Sequence, residues 1–123
     1  MKRSIIFIAF ALVASSAVAD IEAEYIKKNA SVGVVQVGKY ASFSALSNVG
    51  QYACEIEATA KEPAIMIAPD RLAWTPSDKA DTCAVVMSFS GDKMTMTTKG
   101  CEGYCGLGAQ RSLDGIYRRK ATR

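Results

Sequence analysis

The segment CAVVMSFSGDKMTMTTK, residues 83–99, decides the fold. Its first part, Cys83 to Phe89, is the most β-prone run in the chain, because valines and an aromatic residue suit a pleated strand. Ser90 to Lys93 forms a tight turn, and the apolar residues Met94 and Met96 then alternate with polar ones. Two strands joined by so short a turn predict an antiparallel β-hairpin.

Other strand patterns follow at short intervals on the N-terminal side of this hairpin. Val32 to Val37 is a β-branched run that Gly38 closes, and Ala64 to Ala68 is a short apolar run before Pro69. From Gln51 the pattern alternates, which predicts a half-buried strand with one apolar face: Tyr52, Cys54, Ile56, Ala58. Leu72 and Trp74 are expected in the core.

The remaining segments complete a fold prediction. Leu113, Ile116 and Tyr117 indicate a final strand, whereas Glu22 to Lys28 favours a short N-terminal helix that ends at Asn29, before a turn at Ser31 to Gly33. Many short strands separated by turn residues are typical of an all-β sandwich or barrel. We therefore predict an all-β fold, a small antiparallel barrel of about eight strands with disulfide-braced loops.

The N-terminus predicts export. Lys2 and Arg3 precede an apolar run from Ile5 to Val13, and the small residues 17–19 resemble a cleavage site, so residues 1–19 are predicted to be a cleavable signal peptide. The apolar run is too short for a retained membrane anchor. Residues 20–123 then form a single binding domain without membrane insertion, with a formal charge near +1 rather than the +3 of the whole chain.

Four cysteines lie after the predicted cleavage site, and an oxidising compartment favours two disulfides among Cys54, Cys83, Cys101 and Cys105. Three connectivities are open. The favoured one joins Cys101 to Cys105 and Cys54 to Cys83. A zinc site is not expected, because the chain has no histidine and no CxxC pair.

The missing chemistry argues against an enzyme. The absence of histidine removes the commonest general base, and oxidised cysteines are not nucleophiles. The glycines at 106 and 108 do not join a strand to a helix, so no phosphate cradle and no cofactor is predicted. An enzyme that uses a pair of catalytic carboxylates remains an alternative, although no Asp or Glu lies in a recognisable catalytic motif. Basic residues are not interleaved with aromatic ones, so nucleic acid is not an expected partner.

Binding requires rigid loops that carry polar or aromatic groups, and two loops qualify. One is the cysteine-bracketed loop with Tyr104, Arg111 and Ser112, and the other is the hairpin turn at Ser90. If the hairpin strands pair, the hairpin turn and the cysteine loop lie at opposite ends of the sheet. We then expect only one of them to form the site.

Four short motifs resemble those of the bacterial inhibitors of c-type lysozyme, which occur in membrane-bound and periplasmic forms. They are Tyr52-Ala53-Cys54, Cys83, Ser90-Gly91 and Lys99-Gly100. In that family a serine and a basic residue enter the lysozyme cleft and engage its two catalytic carboxylates. The resemblance implies a periplasmic protein whose partner is a c-type lysozyme, with Ser90 and Lys99 in those roles.

The sequence also departs from this family. Lys93-Met94 stands where a tyrosine usually follows the Ser-Gly pair, and no tyrosine precedes Lys99-Gly100. A second assignment therefore gives the polar contact to Arg111 and Ser112. The alternative function is a non-catalytic binding or structural protein of the cell envelope with no lysozyme target. An exposed apolar sheet edge would support a homodimer.

Overall fold

The computed structural model describes residues 20–121, so the predicted signal peptide lies outside the described residues. The described chain contains nine β-strands. They are β1 Ala23–Lys27, β2 Ala30–Val37, β3 Tyr40–Val49, β4 Tyr52–Ala58, β5 Ala64–Ala68, β6 Arg71–Trp74, β7 Ala84–Ser90, β8 Lys93–Lys99 and β9 Gly115–Arg119.

Eight of the strands close into an antiparallel barrel, as the sequence predicted. The order around the ring is β1, β2, β3, β5, β6, β7, β8 and β9, and β9 pairs with β1 to complete it. Two neighbouring pairs of strands in the ring are joined by only two residue pairs each, β3 with β5 and β1 with β9. The ninth strand, β4, lies outside the ring and pairs with the remaining length of β3.

The central hairpin is confirmed. β7 and β8 pair from Ala84 with Lys99 to Ser90 with Lys93, around a turn in which Gly91 has a φ of 61°. That left-handed conformation suits glycine, which has no Cβ to clash with the backbone. Met94 and Met96 are buried, whereas Thr95 between them and Thr97 after them are exposed. The two-residue alternation thus decides which face of the hairpin meets the core.

The outside strand β4 contributes to the core as well. Cys54, Ile56 and Ala58 are buried as predicted, but Tyr52 is 39% exposed and does not share their environment. Tyr52 is the first residue of the strand. Its ring packs against the backbone of a loop instead of the core.

The helix predicted for Glu22 to Lys28 is wrong, because this segment forms β1. Tyr25 is 1% exposed, whereas Glu24 and Ile26 on either side are exposed, so the burial period is two. Asn29, with a φ of 67°, turns the chain directly into β2. The turn predicted at residues 31–33 is therefore also wrong, since those residues pair within β2.

The barrel has two different ends. At the turn end, short connections at residues 38–39, 69–70 and 91–92 join neighbouring strands. At the loop end lie two long connections, residues 75–83 before β7 and residues 100–114 after β8. We refer to residues 100–114 as the capping segment, because Ala109 and Leu113 within it are buried against the core.

A capping segment as the candidate functional site

Two disulfides fasten the capping segment to different parts of the barrel. Cys83–Cys101 joins it to the start of β7, and Cys54–Cys105 joins it to the outside strand β4. The sequence favoured Cys101 with Cys105 and Cys54 with Cys83, and that pairing is wrong.

The local backbone explains the correct pairing. Cys101 and Cys105 flank a 3-10 turn, Glu102–Tyr104, in which the Tyr104 amide donates to the Cys101 carbonyl at 3.0 Å. The chain leaves this turn in an extended conformation at Cys105, with a φ of −131° and a ψ of 147°. Cys101 bonds the residue that precedes β7, and Cys105 bonds the outside strand β4.

Tyr104 stabilises the capping segment from inside. Its hydroxyl donates a hydrogen bond to Asp81, and its ring meets Trp74 edge to face at a centroid distance of 6.3 Å. The hydrogen bond to the Asp81 carboxylate, followed by burial, raises the pKa of Tyr104 to about 12. Asp81 also accepts the Cys83 amide at 3.0 Å. Tyr104, predicted as a contact residue, has its polar group engaged within the protein.

Ser112 is also engaged internally. Its hydroxyl lies 2.6 Å from the hydroxyl of Ser47, which is fully buried in β3. A buried hydroxyl without a partner costs about 1–3 kcal/mol, so this bond offsets the burial of Ser47. The Ser112 hydroxyl consequently faces the barrel.

Arg111 is the residue of the predicted set that faces solvent from the capping segment. Its side chain is 70% exposed, and its guanidinium Nη2 lies 3.3 Å from Asp114 Oδ2. Asp114 is itself fixed to the barrel, because its Oδ1 accepts the Thr98 amide at 2.9 Å and the Thr98 hydroxyl at 2.6 Å. Arg111 is thus held beside the C-terminal end of β8, where the exposed Lys99 follows Thr98.

Ser90 and Lys99, which the family resemblance pairs, lie at opposite ends of the barrel. Ser90, the last residue of β7, is paired with Lys93, the first residue of β8, at the turn end. Lys99 is the last residue of β8 and lies at the loop end. Six residue steps along a strand span roughly 20 Å. The structure therefore places Lys99 with Arg111 at the loop end and separates both from Ser90.

Two residues of this surface were missed by the sequence analysis. Leu107 is 82% exposed, and the ring of Tyr52 lies beneath the backbone on either side of it. A Cβ on Gly106 would lie 2.9 Å from a Tyr52 ring carbon, and one on Gly108 would collide with the same ring. A large apolar residue between two glycines was the available sequence signal.

The capping segment encloses little space. The cavity beneath it measures about 10 Å³, which is room for about one water molecule. Within residues 20–121, no three metal-ligating side chains form a group that could hold an ion. The same residues include no helix long and apolar enough to cross a bilayer.

Comparison with protein-family models, with curated proteins and with solved structures finds no match for this chain.

Proposed function

We propose that this protein is an exported inhibitor of c-type lysozyme that uses the loop end of its barrel. The observation that carries the proposal is the exposed guanidinium of Arg111 on a segment held by two disulfides. A rigid loop that carries a cation loses little conformational entropy when it binds a carboxylate. The four motifs that resemble lysozyme inhibitors supply the identity of the target.

The charge arrangement suits a cleft that contains carboxylates. A lysozyme cleft holds two catalytic carboxyl groups, one of them ionised and therefore a partner for a cation. Arg111 offers a planar guanidinium that can bind a carboxylate with two parallel hydrogen bonds. Lys99 adds a second exposed positive charge at the same end of the barrel. In this proposal Ser90 makes no contact, and Tyr104 and Ser112 act by holding the capping segment.

The test compares charge removal at the two ends of the barrel. Arg111→Ala and Lys99→Ala are expected to weaken inhibition in a lysozyme assay on a suspension of bacterial cells. Arg118→Ala is the matched control, because Arg118 is 67% exposed, pairs with Asp92 at 3.5 Å and lies near the turn end. Ser90→Ala is a second control. Full inhibition by the Arg111 and Lys99 variants, or its loss in the two controls, would contradict the assignment to the loop end.

A second candidate function rests on an apolar row across the outside of the barrel. Val37, Tyr40 and Ile65 are register neighbours on β2, β3 and β5, and they are 72%, 45% and 40% exposed. Exposed apolar patches mark contact surfaces in many proteins. Such a row favours attachment to another component of the cell envelope, without a lysozyme target. This function would be favoured if the wild-type protein is retained on isolated cell envelopes, Val37→Ser is not retained, and the wild-type protein does not inhibit lysozyme.

A further inference from the structure

Leu107 is the large apolar side chain with the greatest exposure among the described residues, at 82%. A single exposed leucine is ordinary on a protein surface and needs no explanation. The surroundings of Leu107 are not ordinary, because the backbone on both sides of it is fixed. That combination separates Leu107 from the exposed aliphatic residues on the barrel strands.

The first fixed point precedes Leu107. Cys105 is bonded to Cys54, and the Gly106 amide donates to the Ala53 carbonyl at 2.9 Å. The second follows it, where Ala109 is fully buried and its amide donates to the Gly106 carbonyl at 2.9 Å. Leu107 therefore stands on a short 3-10 turn that is tied down at both ends. A side chain presented by so constrained a backbone binds with a small entropic cost.

The base of this turn is the ring of Tyr52. Gly106 and Gly108 approach the ring so closely that neither position has room for a Cβ. Tyr52 remains 39% exposed and extends the apolar surface around Leu107. Tyr52 thus supports the turn that carries Leu107. Tyr52 is itself held in place because β4 pairs with β3.

A cation follows Leu107 closely along the segment. Arg111, whose side chain is 70% exposed, lies four residues after Leu107, and the buried Ala109 lies between them. A fixed apolar anchor beside tyrosine and arginine has the composition of an energetic centre in protein interfaces, where tyrosine and arginine are enriched. The partner that fits it offers an apolar pocket with a carboxylate at its margin.

We infer that Leu107 is the apolar anchor of the lysozyme interface and that Arg111 pairs with the ionised catalytic carboxylate beside it. This inference rests on the proposed function. One catalytic carboxyl of lysozyme lies in an apolar pocket, and the other lies ionised in a polar environment. Leu107 enters the apolar part of that cleft while the guanidinium of Arg111 reaches the charged part. The insertion is thereby assigned to Leu107 and Arg111, with the charge of Lys99 at the same end of the barrel and without Ser90.

The experiment measures the dissociation constant of the complex between the mature protein and a c-type lysozyme by titration calorimetry. Leu107→Ala is expected to weaken binding by about tenfold or more, the loss that follows when a leucine is withdrawn from a buried interface. Its thermal unfolding midpoint stays at the wild-type value, because the side chain packs on little of its own protein. Val37→Ala, at a residue 72% exposed on the barrel wall, is the matched control and keeps wild-type affinity.

The outcomes separate this inference from the proposed function. If the wild-type protein does not bind lysozyme, both are overturned. If the wild type binds and Leu107→Ala binds equally well, the anchor is overturned and lysozyme inhibition stands. Equal weakening in Leu107→Ala and Val37→Ala would also overturn it, since the effect would then reflect general surface hydrophobicity. A loss confined to Leu107→Ala supports the anchor.

Discussion

The hydroxyl of Tyr104 and that of Ser112 occupy the same segment and serve the same purpose. Each donates or shares a hydrogen bond with a side chain outside the segment, Asp81 of the connection before β7 in one case and the buried Ser47 of β3 in the other. Arg111 and Leu107, by contrast, direct their side chains to solvent. At the residue scale, the capping segment therefore divides into groups that hold it and groups that it presents.

Tyr104→Phe tests the holding role. It removes a hydrogen bond to a carboxylate, so we expect a loss of about 1–2 kcal/mol in the free energy of unfolding at neutral pH. Inhibition should persist, because the ring still packs on Trp74. Tyr40→Phe is the control, since Tyr40 is 45% exposed and such surface changes stay within about 0.5 kcal/mol. Equal stability of wild type and Tyr104→Phe in urea unfolding would contradict the role.

The same variant carries a prediction about pH. The folded-state pKa of Tyr104 is raised from 10.0 to about 12, so folding favours its neutral form. This contribution is fully present below pH 10 and is lost as the pH rises towards 12, because the unfolded chain releases the proton first. The stability gap between wild type and Tyr104→Phe should therefore narrow across that range. A gap that widens would reverse the assigned sign.

At the scale of elements, the capping segment pairs with the outer edge of the outside strand β4, where the Gly106 amide donates to the Ala53 carbonyl. β3 leaves β5 after two residue pairs and continues with β4, whose outer edge has no strand partner among the described residues. The bridge between Cys54 and Cys105 covers the start of that edge. Covering an exposed edge in this way also protects it from pairing with other chains.

The disulfide pairing can be checked by tryptic digestion without reduction. Trypsin leaves Cys101 and Cys105 in one peptide, residues 100–111, because no lysine or arginine lies between them. The structure predicts that this peptide is joined to two others, which contain Cys54 and Cys83. A free peptide 100–111 with an internal disulfide, beside a separate linked pair, would contradict the structure. Mass spectrometry distinguishes the two patterns directly.

The elements differ in how far the sequence determines them. The β7–β8 hairpin follows from local alternation and a glycine turn, so the sequence predicted it correctly. β1 was mistaken for a helix, since the single buried Tyr25 leaves too short a pattern to identify its period. The disulfides were mispaired because a 3-10 turn directs Cys101 and Cys105 apart. Pairing across a barrel is a long-range property that cysteine spacing does not encode.

At the scale of the whole molecule, the barrel separates the candidate contacts that the sequence considered together. The motifs shared with lysozyme inhibitors associate Ser90 with Lys99, but the length of β8 separates the two residues by roughly 20 Å. Closure of the ring instead gathers Lys99, Arg111 and Leu107 at the loop end. The sequence could predict the barrel and the exposed arginine, whereas the grouping of side chains depends on the direction in which each strand runs.

The small net charge of the molecule limits how binding can arise. The domain after residue 19 has a formal charge near +1, so long-range attraction to a cationic lysozyme is not expected. In the proposed complex with lysozyme, affinity would therefore come from short-range contacts at the loop end. We expect inhibition to depend weakly on salt, because buried or partly buried pairs are screened much less than distant surface charges.

The central claim is tested most directly by titrating a c-type lysozyme with the purified mature protein and measuring the clearing of a bacterial suspension. We predict that inhibition is complete near a one-to-one ratio, and that an oligosaccharide substrate of lysozyme relieves it by competing for the cleft. Full lysozyme activity at a large molar excess of the protein would contradict the account.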